Sequence, residues 1–208
     1  MRRLLASLFS RERGSGAPAP QSPCAGKDSQ AMVSPIPAVA PATRVSDILA
    51  ISEVDEAEFF VGDLFRRRFA TPRVPDYPRH FVAFYRNGAG APLVPLGYVH
   101  FTPWEGCQLG GGMVYDDRRW RSLPAPHRQL IRDAGGVAEC LLRGALDRVL
   151  PGSVAAWGRV GDHLAEKVDR RVGFIPTGRP HLMVIWGREL TDAEKDEWIS
   201  RVDALGDF

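Results

Sequence analysis

The sequence contains few cysteines and no pattern that would join them. Cys24, Cys107 and Cys140 are the three cysteines among 208 residues, and none belongs to a Cys-x-x-Cys motif. An odd, widely spaced set argues against a disulfide framework and against a zinc site. Neither His127 nor His163 has a second ligand at metal-binding spacing. We therefore predict no metal site and a reducing, cytoplasmic location.

The chain also lacks a long apolar run and a strong net charge. No stretch approaches the roughly 20 apolar residues that span a bilayer, so the sequence predicts no integral membrane segment. The formal net charge is only +2. Since binding of nucleic acid usually requires a concentrated basic face, no nucleic-acid partner is predicted. Hydrophobic residues make up 44% of the chain and aromatic residues 9%, which is enough for one globular domain with appended sequence.

Hydrophobic periodicity is missing near the start of the chain. Residues 14–43 consist mostly of Pro, Ala, Gly and Ser, a composition that cannot bury enough apolar surface to fold. We predict a disordered tail over residues 1–44, a folded domain over residues 45–187 and a C-terminal helix over residues 188–208. An alternative for the first residues is a short basic amphipathic helix on a membrane or partner, with four apolar residues on one side: Leu4, Leu5, Leu8 and Phe9.

Periodicity in the first half of the domain predicts helix followed by strands. Apolar residues recur at helical spacing within residues 51–70, so one or two helices are expected there, with Ser52 or Asp55 as N-caps. The arginines at 66–68 would either complement the end of a helix in solvent or bind phosphate. Three antiparallel strands are predicted next, over residues 80–85, 93–101 and 108–115. The glycines at 110–112 favour a bulge, a close approach to the backbone or a flexible loop.

The second half of the domain alternates between helix and strand. A Gly-rich turn at Gly135 and Gly136 leads into a helix, and an apolar strand begins at Val154. An amphipathic helix follows, ends at a left-handed Gly173 and precedes an apolar strand over residues 181–186. A capping box predicts a closing helix from residue 191, and its apolar stripe packs either on the sheet or on a second copy. The sequence therefore does not decide between a monomer and a homodimer.

This order of elements resembles the GNAT superfamily of acyl-CoA-dependent N-acyltransferases, over about residues 45–186. The family often shows Asn-x-x-Ala-x-x-Leu-Tyr followed by Gly-Phe, and the matching residues here are Asp162, Ala165, Val168, Asp169, Gly173 and Phe174. The resemblance implies an α/β (α+β) fold with a mixed central sheet flanked by helices. It also implies acetyl-CoA or another acyl-CoA as co-substrate, and a small-molecule or protein amine as acceptor.

The resemblance further implies where the co-substrate would bind. The family signature, Gln or Arg, two residues, Gly, one residue, Gly or Ala, fits in two registers, starting at Asp133 or at Arg132, and neither satisfies all three positions. Backbone amides at the turn would hold the diphosphate, and the third strand would receive the pantetheine arm. The predicted cofactor-binding residues are Met113, Val114, Tyr115, Arg132, Gly135, Gly136, Val137 and Ala138. The alternatives are that the two glycines merely interrupt a helix and that the nearby arginines, which could supply positive charge, face solvent: Arg118, Arg119 and Arg121.

The candidate catalytic residues are Glu105, Tyr115 and Asp169. Glu105 is a candidate base, with His100 as a second, although each could be a surface or packing residue. Asp169 replaces the Tyr that in the family often protonates the departing thiolate, and it could do so only if burial raised its pKa by several units from about 3.9. Tyr115 is another proton donor, and Cys140 resembles a small core residue. Two functions stay open: an N-acyltransferase, and a binding or scaffold module of the same fold without turnover.

Overall fold

The computed structural model describes residues 44–69, 71–76, 78–206 and 208. The predictions for residues 1–43 lie outside this set. The strands are β1 (Leu49–Val54), β2 (Arg79–Tyr85), β3 (Val94–Trp104), β4 (Cys107–Gly110), β5 (Val114–Tyr115), β6 (Ala155–Arg159), β7 (Ile175–Pro176) and β8 (Leu182–Trp186). The α-helices are α1 (Ala57–Phe69), α2 (Asp117–Ser122), α3 (Ala125–Asp133), α4 (Val137–Val149), α5 (His163–Val172) and α6 (Asp192–Asp203), and a 3₁₀ turn covers Val45–Asp47.

One mixed sheet connects the eight strands found in the described residues. Their order is β1-β2-β3-β4-β6-β8-β7, and β5 pairs with β3 beside β4. Every pairing is antiparallel except that of β4 with β6. The predicted mixed central sheet flanked by helices is therefore confirmed, together with the antiparallel succession from β2 to β4. Among the residues described, no helix has the length and apolar character needed to cross a membrane.

The first strand corrects the prediction of helix from residue 51. β1 pairs with β2 from Leu49 opposite Tyr85 to Val54 opposite His80, and α1 begins only at Ala57. Ser52 lies inside this pairing opposite Val82, so its predicted role as an N-cap is wrong. The local spacing was compatible with a helix, but hydrogen bonding to a distant segment decides the conformation.

The glycine-rich third strand is two strands separated by a break. β4 stops at Gly110, and pairing with β3 resumes at Val114. A Cβ at Gly111 would collide with the ring of His100, and a Cβ at Gly112 would collide with the ring of Phe69. Of the three alternatives for these glycines, the structure therefore supports close approach, because side chains of the protein itself press against the backbone here.

Helices cover the sheet on both faces. α3, α4 and α5 pack on one face through a cluster that includes Phe81, Phe101 and Leu141, and this face is called the α4 face. On the other face, called the α1 face, α1 packs on Tyr98 and Phe84. The apolar stripe of α6 lies on this second face as well: Trp198, Ile199 and Val202 pack with Trp157 and Leu182. The capping box predicted for α6 is present, with Thr191 and Glu194 bonding each other.

Candidate functional site

The sheet opens where β4 and β6 end. The two strands pair in parallel as far as Gly110 opposite Gly158. Beyond that point the chain after β4 bonds to β3, since the amide of Gly111 donates to the carbonyl of His100 at 2.9 Å. The chain after β6 bonds instead to the segment before β8, with the amide of Val160 donating to the carbonyl of His181 at 2.9 Å. Each strand end thus stays with its own outer neighbour, and a gap opens between them.

A cleft of about 740 Å³ occupies this gap. Its lining comes from both faces of the sheet, so the cleft passes between the strands from one face to the other. The α4 face contributes Val99, Phe101, Leu142, Ala165, Asp169 and Phe174, and the α1 face contributes Arg68, Phe69, Trp157, Arg159 and Phe208. The amides of Gly112 and Met113, which also line the cleft, donate no backbone hydrogen bond within the described residues. They are available to a ligand.

Helix α5 carries the acidic group of the cleft, and its ends explain its position. Asp162 caps α5 because its carboxylate accepts the amides of Leu164 at 2.8 Å and Ala165 at 2.9 Å. The hydrogen bonds from Ala165 and Leu164 hold the pKa of Asp162 below its usual value. Asp at this position therefore keeps the capping role that an Asn would have, and Gly173 ends the helix with φ of 112° as predicted.

Asp169 lines the cleft, and its carboxylate lies against β6. A Cβ built on Gly158 would lie 3.4 Å from Asp169 Oδ2, and that carboxylate forms no hydrogen bond or ion pair with any described residue. Burial raises the pKa of Asp169 from its usual 3.8 to about 7. A carboxyl group with this pKa exchanges protons near neutral pH, which is the property required of a general acid.

Asp169 should make the fold less stable as the pH rises. Because its folded pKa of about 7 lies above the usual value, the stability gained from the protonated group is complete below about pH 4 and is lost as the pH rises through 7. We expect Asp169→Asn, which cannot ionise, to increase the free energy of unfolding at pH 8 by on the order of 3 kcal/mol and to change little at pH 4. Urea unfolding at both pH values measures this. A difference that is the same at both would contradict the assignment.

The predicted Gly-rich turn separates α3 from α4. Gly135, with φ of 100°, donates its amide to Arg132 at 2.9 Å, and Gly136, with φ of 95°, donates to Ile131 at 2.8 Å. These bonds close the end of α3, so neither amide is free for a ligand. The next three amides, at residues 137–139, have no backbone acceptor among the described residues and form the open N-terminus of α4.

Glu139, in the first turn of α4, has its carboxylate beside the Gly-rich turn. Its carboxylate lies so close to Gly135 that a Cβ there would collide with it. Arg143 donates to Glu139 Oε1 at 2.8 Å, and Arg171 of α5 lies 3.9 Å from Oε2. The side chain is 10% exposed. A carboxylate therefore already lies near the open amides and the positive end of the helix dipole, which attract anions.

These contacts allow a test of whether acyl-CoA fits. The cleft and the free amides of Gly112 and Met113 fit an acyl-pantetheine arm. The diphosphate half does not fit while Glu139 occupies its present position, because two like charges would meet at one helix terminus.

A substitution at a turn glycine changes the stability of the fold as well as any ligand binding. Gly136 has φ of 95° and ψ of 169°, a conformation that residues with a side chain adopt only under strain, although a Cβ there meets no atom within 4 Å. We expect Gly136→Ala to lower the free energy of unfolding by about 1–3 kcal/mol. Gly161→Ala is the matched control, since Gly161 has open space and no positive φ. Equal urea midpoints for the two variants would contradict this expectation.

The other predicted cofactor residues gather near this turn, with different exposures. Met113 lines the cleft, Val114 is buried opposite Tyr98, and Tyr115 pairs with Gly97 and is 46% exposed. A Cβ at Gly97 would lie 3.2 Å from Val137 and 3.3 Å from the carbonyl of Val114, so β5 adjoins the start of α4. The guanidinium of Arg132 lies 5.5 Å from the ring centre of Trp120. Ala138 is partly buried in the first turn of α4.

The two candidate bases lie in different places. Glu105 forms the hairpin turn between β3 and β4, with φ of 48°, and pairs with Arg201 of α6. This turn is at the opposite end of β4 from the cleft. His100 is buried, and its ring lies against Gly111 at the cleft edge. Burial, and to a lesser extent the neighbouring His80, lowers the pKa of His100 to about 4, so it is neutral at pH 7.

Several cleft residues were not found by sequence reasoning. Arg159 and His181 were not singled out, and Arg68 was considered only as part of an arginine cluster. His181 has φ of 63°, which a sequence does not reveal. One sequence signal for a cleft residue was available: Arg159 is an arginine at the end of an apolar strand.

No protein-family model and no curated protein matches the chain, but solved structures do. YhhK of Escherichia coli, named as an N-acetyltransferase and bound to coenzyme A, is 16% identical over 66% of this chain and 98% of that chain, with a TM-score of 0.45. The ribosomal-protein-S5-alanine acetyltransferase of Vibrio fischeri is 10% identical over 69% of this chain and 95% of that chain, with a TM-score of 0.46. The KacTA–DNA complex is 12% identical over 74% and 99%, with a TM-score of 0.36.

Identities and TM-scores are low in each of these comparisons, so no residue role or activity is taken from them. The succession β2, β3, β4, Gly-rich turn, α4, β6, α5, β8 and α6 is the one that the sequence predicted, whereas β1, the separate β5, α2, α3 and β7 were not predicted. In fold, the chain is similar to these acetyltransferases.

Proposed function

We propose that the chain transfers an acetyl or other acyl group from acyl-CoA to an amine. The observation that carries the proposal is the cleft through the sheet, with a carboxyl group of pKa about 7, that of Asp169, directed into it. An opening between two parallel strands gives a thioester and an amine separate routes to one point. Acyl-CoA as donor agrees with the cytoplasmic location inferred from the few cysteines.

In this proposal the backbone positions the thioester. The arm would lie along Met113, Val114 and Tyr115, and the free amides of Gly112 and Met113 would polarise the thioester carbonyl. Polarisation by fixed donors requires no rearrangement at the moment of reaction, and holding the two reactants together supplies the rest of the rate gain.

Asp169 would supply the proton that the leaving group needs. The amine nitrogen attacks the carbonyl carbon, the carbon–sulfur bond breaks, and the thiolate takes the proton of Asp169. The amine loses one proton, which passes through water to the carboxylate of Asp169 and restores its protonated form. Of the two candidate bases, His100 adjoins the cleft edge at Gly111 and Glu105 does not, but a pKa of about 4 makes His100 a weak proton acceptor, so water is the first acceptor in this proposal. Tyr115 remains a second candidate donor, with Asp169 preferred because it lines the cleft.

The alternative is a binding or scaffold module of the same fold. Glu139 favours it, because a carboxylate at the terminus of α4 opposes a diphosphate. In this case the cleft would bind a ligand without turnover.

A titration separates these functions. Isothermal calorimetry with acetyl-CoA tests binding, and release of free thiol in a panel of amines tests transfer. We expect binding and thiol release that depends on an amine. Binding without thiol release for any amine would favour the module, and absence of binding to both wild type and Glu139→Gln would exclude acyl-CoA as the ligand.

A further inference from the structure

The mouth of the cleft on the α1 face is lined by arginine and histidine side chains. Arg68 lies in the last turn of α1, Arg159 ends β6, and His181 precedes β8. The acidic residues that line the described part of the cleft are Asp162 and Asp169, and both belong to α5 or to its N-cap, on the α4 face. The lining arginines and the lining carboxylates therefore belong to different elements, although Arg68 interacts electrostatically with Asp162 and Arg159 pairs with Asp203.

Arg159 has hydrogen-bonding capacity that the protein does not use. Its side chain is 18% exposed. Nη2 reaches the carbonyl and the carboxylate of Asp203 at 3.2 and 3.4 Å, and the guanidinium lies 5.6 Å from the ring centre of Phe208. Nε is buried and has no acceptor among the described residues. A buried donor without a partner costs free energy that a bound acceptor would recover.

Arg68 differs from the two arginines that precede it. Arg66 pairs with Glu58 and Asp63, and Arg67 pairs with Asp116. Arg68 forms no hydrogen bond or ion pair in the part of the chain that the structure describes, and it lines the cleft. The neighbouring Phe69 packs against Gly112, on the β4 side of the gap. Arg68 and Arg159 thus belong to opposite walls of one opening.

The backbone at His181 is held in an unfavourable conformation beside Arg159. With φ of 63°, His181 is one of two residues other than glycine with positive φ among those described. Its carbonyl accepts the amide of Val160, which fixes the lining segment next to the end of β6. Such strain persists where surrounding contacts enforce it, and it is concentrated at binding sites.

We propose that this mouth binds a carboxylate, and that the amine acceptor of the transfer therefore carries a carboxylate. The second part rests on the proposed acyl transfer, whereas the first does not. A guanidinium group presents paired donors that match the two oxygens of a carboxylate. With the carboxylate held on the α1 face by Arg159 and Arg68, the amine of the same molecule reaches the opening toward Asp169.

The test is a binding panel without any acyl donor. Each of the twenty amino acids is compared with its own amide by calorimetry, and inorganic phosphate is included as a third probe. We expect one or more acids to bind at least about tenfold more tightly than the matching amide, since a charged hydrogen-bonding partner is worth about tenfold or more. Phosphate should bind more weakly than the best acid.

Single substitutions test whether Arg68 and Arg159 bind the carboxylate. Arg68→Ala and Arg159→Met should each lower the affinity for the most tightly bound amino acid by about tenfold. Arg159→Lys should lower it less than Arg159→Met does. Arg188→Ala is the control, because Arg188 is exposed, forms no ion pair within the described residues and follows β8 at the end away from the cleft. Arg68 is itself exposed and unpaired in the described structure, so Arg68→Ala should fold normally.

Each outcome bears on one proposal. Amides that bind as tightly as acids, a panel in which no acid binds, or phosphate that binds most tightly would overturn the carboxylate site. Thiol release from acetyl-CoA only with amines that lack a carboxylate would overturn the assignment of the acceptor while leaving the transfer intact. Binding of acids without thiol release for any amine would leave the site intact and remove the transfer.

Discussion

Replacing Asp169 by Asn is expected to slow amine-dependent thiol release by about 10²- to 10⁴-fold, the usual contribution of a general acid. Asn preserves the shape of the side chain and cannot give a proton to the thiolate. The affinity for acetyl-CoA should change little, because the proton is needed only as the carbon–sulfur bond breaks.

The pH profile provides a second and independent readout. With a pKa of about 7 for Asp169, the wild-type rate should be highest below pH 7 as far as this group is concerned, and should fall about tenfold per unit well above it. The variant should lose this dependence. Thiol release is followed in a colorimetric assay between pH 6 and 9.

A matched control tests whether the effect is specific. Asp147→Asn makes the same chemical change at an exposed position of α4 outside the cleft, and its rate should equal that of the wild type. If Asp169→Asn retained the full rate and the same profile, the leaving thiolate would take its proton from elsewhere, and Tyr115 would be the next candidate.

Replacing Glu139 by Gln is expected to tighten binding of acetyl-CoA by about 10- to 100-fold, since about 1.4 kcal/mol corresponds to each factor of ten. The change removes a negative charge from the open terminus of α4. It also releases Arg143 and Arg171 from their ion pairs, so both guanidinium groups become available to the diphosphate. Calorimetry with acetyl-CoA and with pantetheine separates the contributions, because pantetheine lacks the diphosphate and its affinity should not change.

Glu166→Gln provides the control for this second substitution. Glu166 forms an ion pair with Arg170 one turn away on α5, as Glu139 does with Arg143 on α4, but it lies at no open helix terminus with free amides in front of it. Its substitution should leave the affinity unchanged. Unchanged or weaker binding by Glu139→Gln would mean that Glu139 serves the packing of α4 on α5 and that the diphosphate lies elsewhere.

Local sequence signals were sufficient for much of the fold. The strands β2, β3 and β8, the end of α5 at Gly173 and the capping box of α6 were all predicted at or near their observed positions. Each depends on residues a few positions apart, such as an apolar alternation, a left-handed glycine or a Thr with a Glu three residues later. Contacts between distant segments were not required to recognise them.

Distant contacts account for the features that were missed. β1 exists because Leu49–Val54 pairs with β2, and its spacing alone also suited a helix. The third predicted strand divides because His100 and Phe69 press on Gly111 and Gly112. The turn at Gly135 was predicted, but its first amides are used to close α3, and the carboxylate of Glu139 lies beside Gly135.

By itself, the sequence determined most of the elements from β2 onward and their order, because periodicity, caps and turn glycines act over short distances along the chain. Only the tertiary structure decided the chemistry of the cleft. The pKa of Asp169 depends on how deeply the packing of α5 buries its carboxyl group. The Nε of Arg159 lacks an acceptor because of the residues that surround it at the end of β6. The charge near the start of α4 depends on the side-chain conformation of Glu139. Burial and electrostatics are set by neighbours in space, and those neighbours are far apart in sequence.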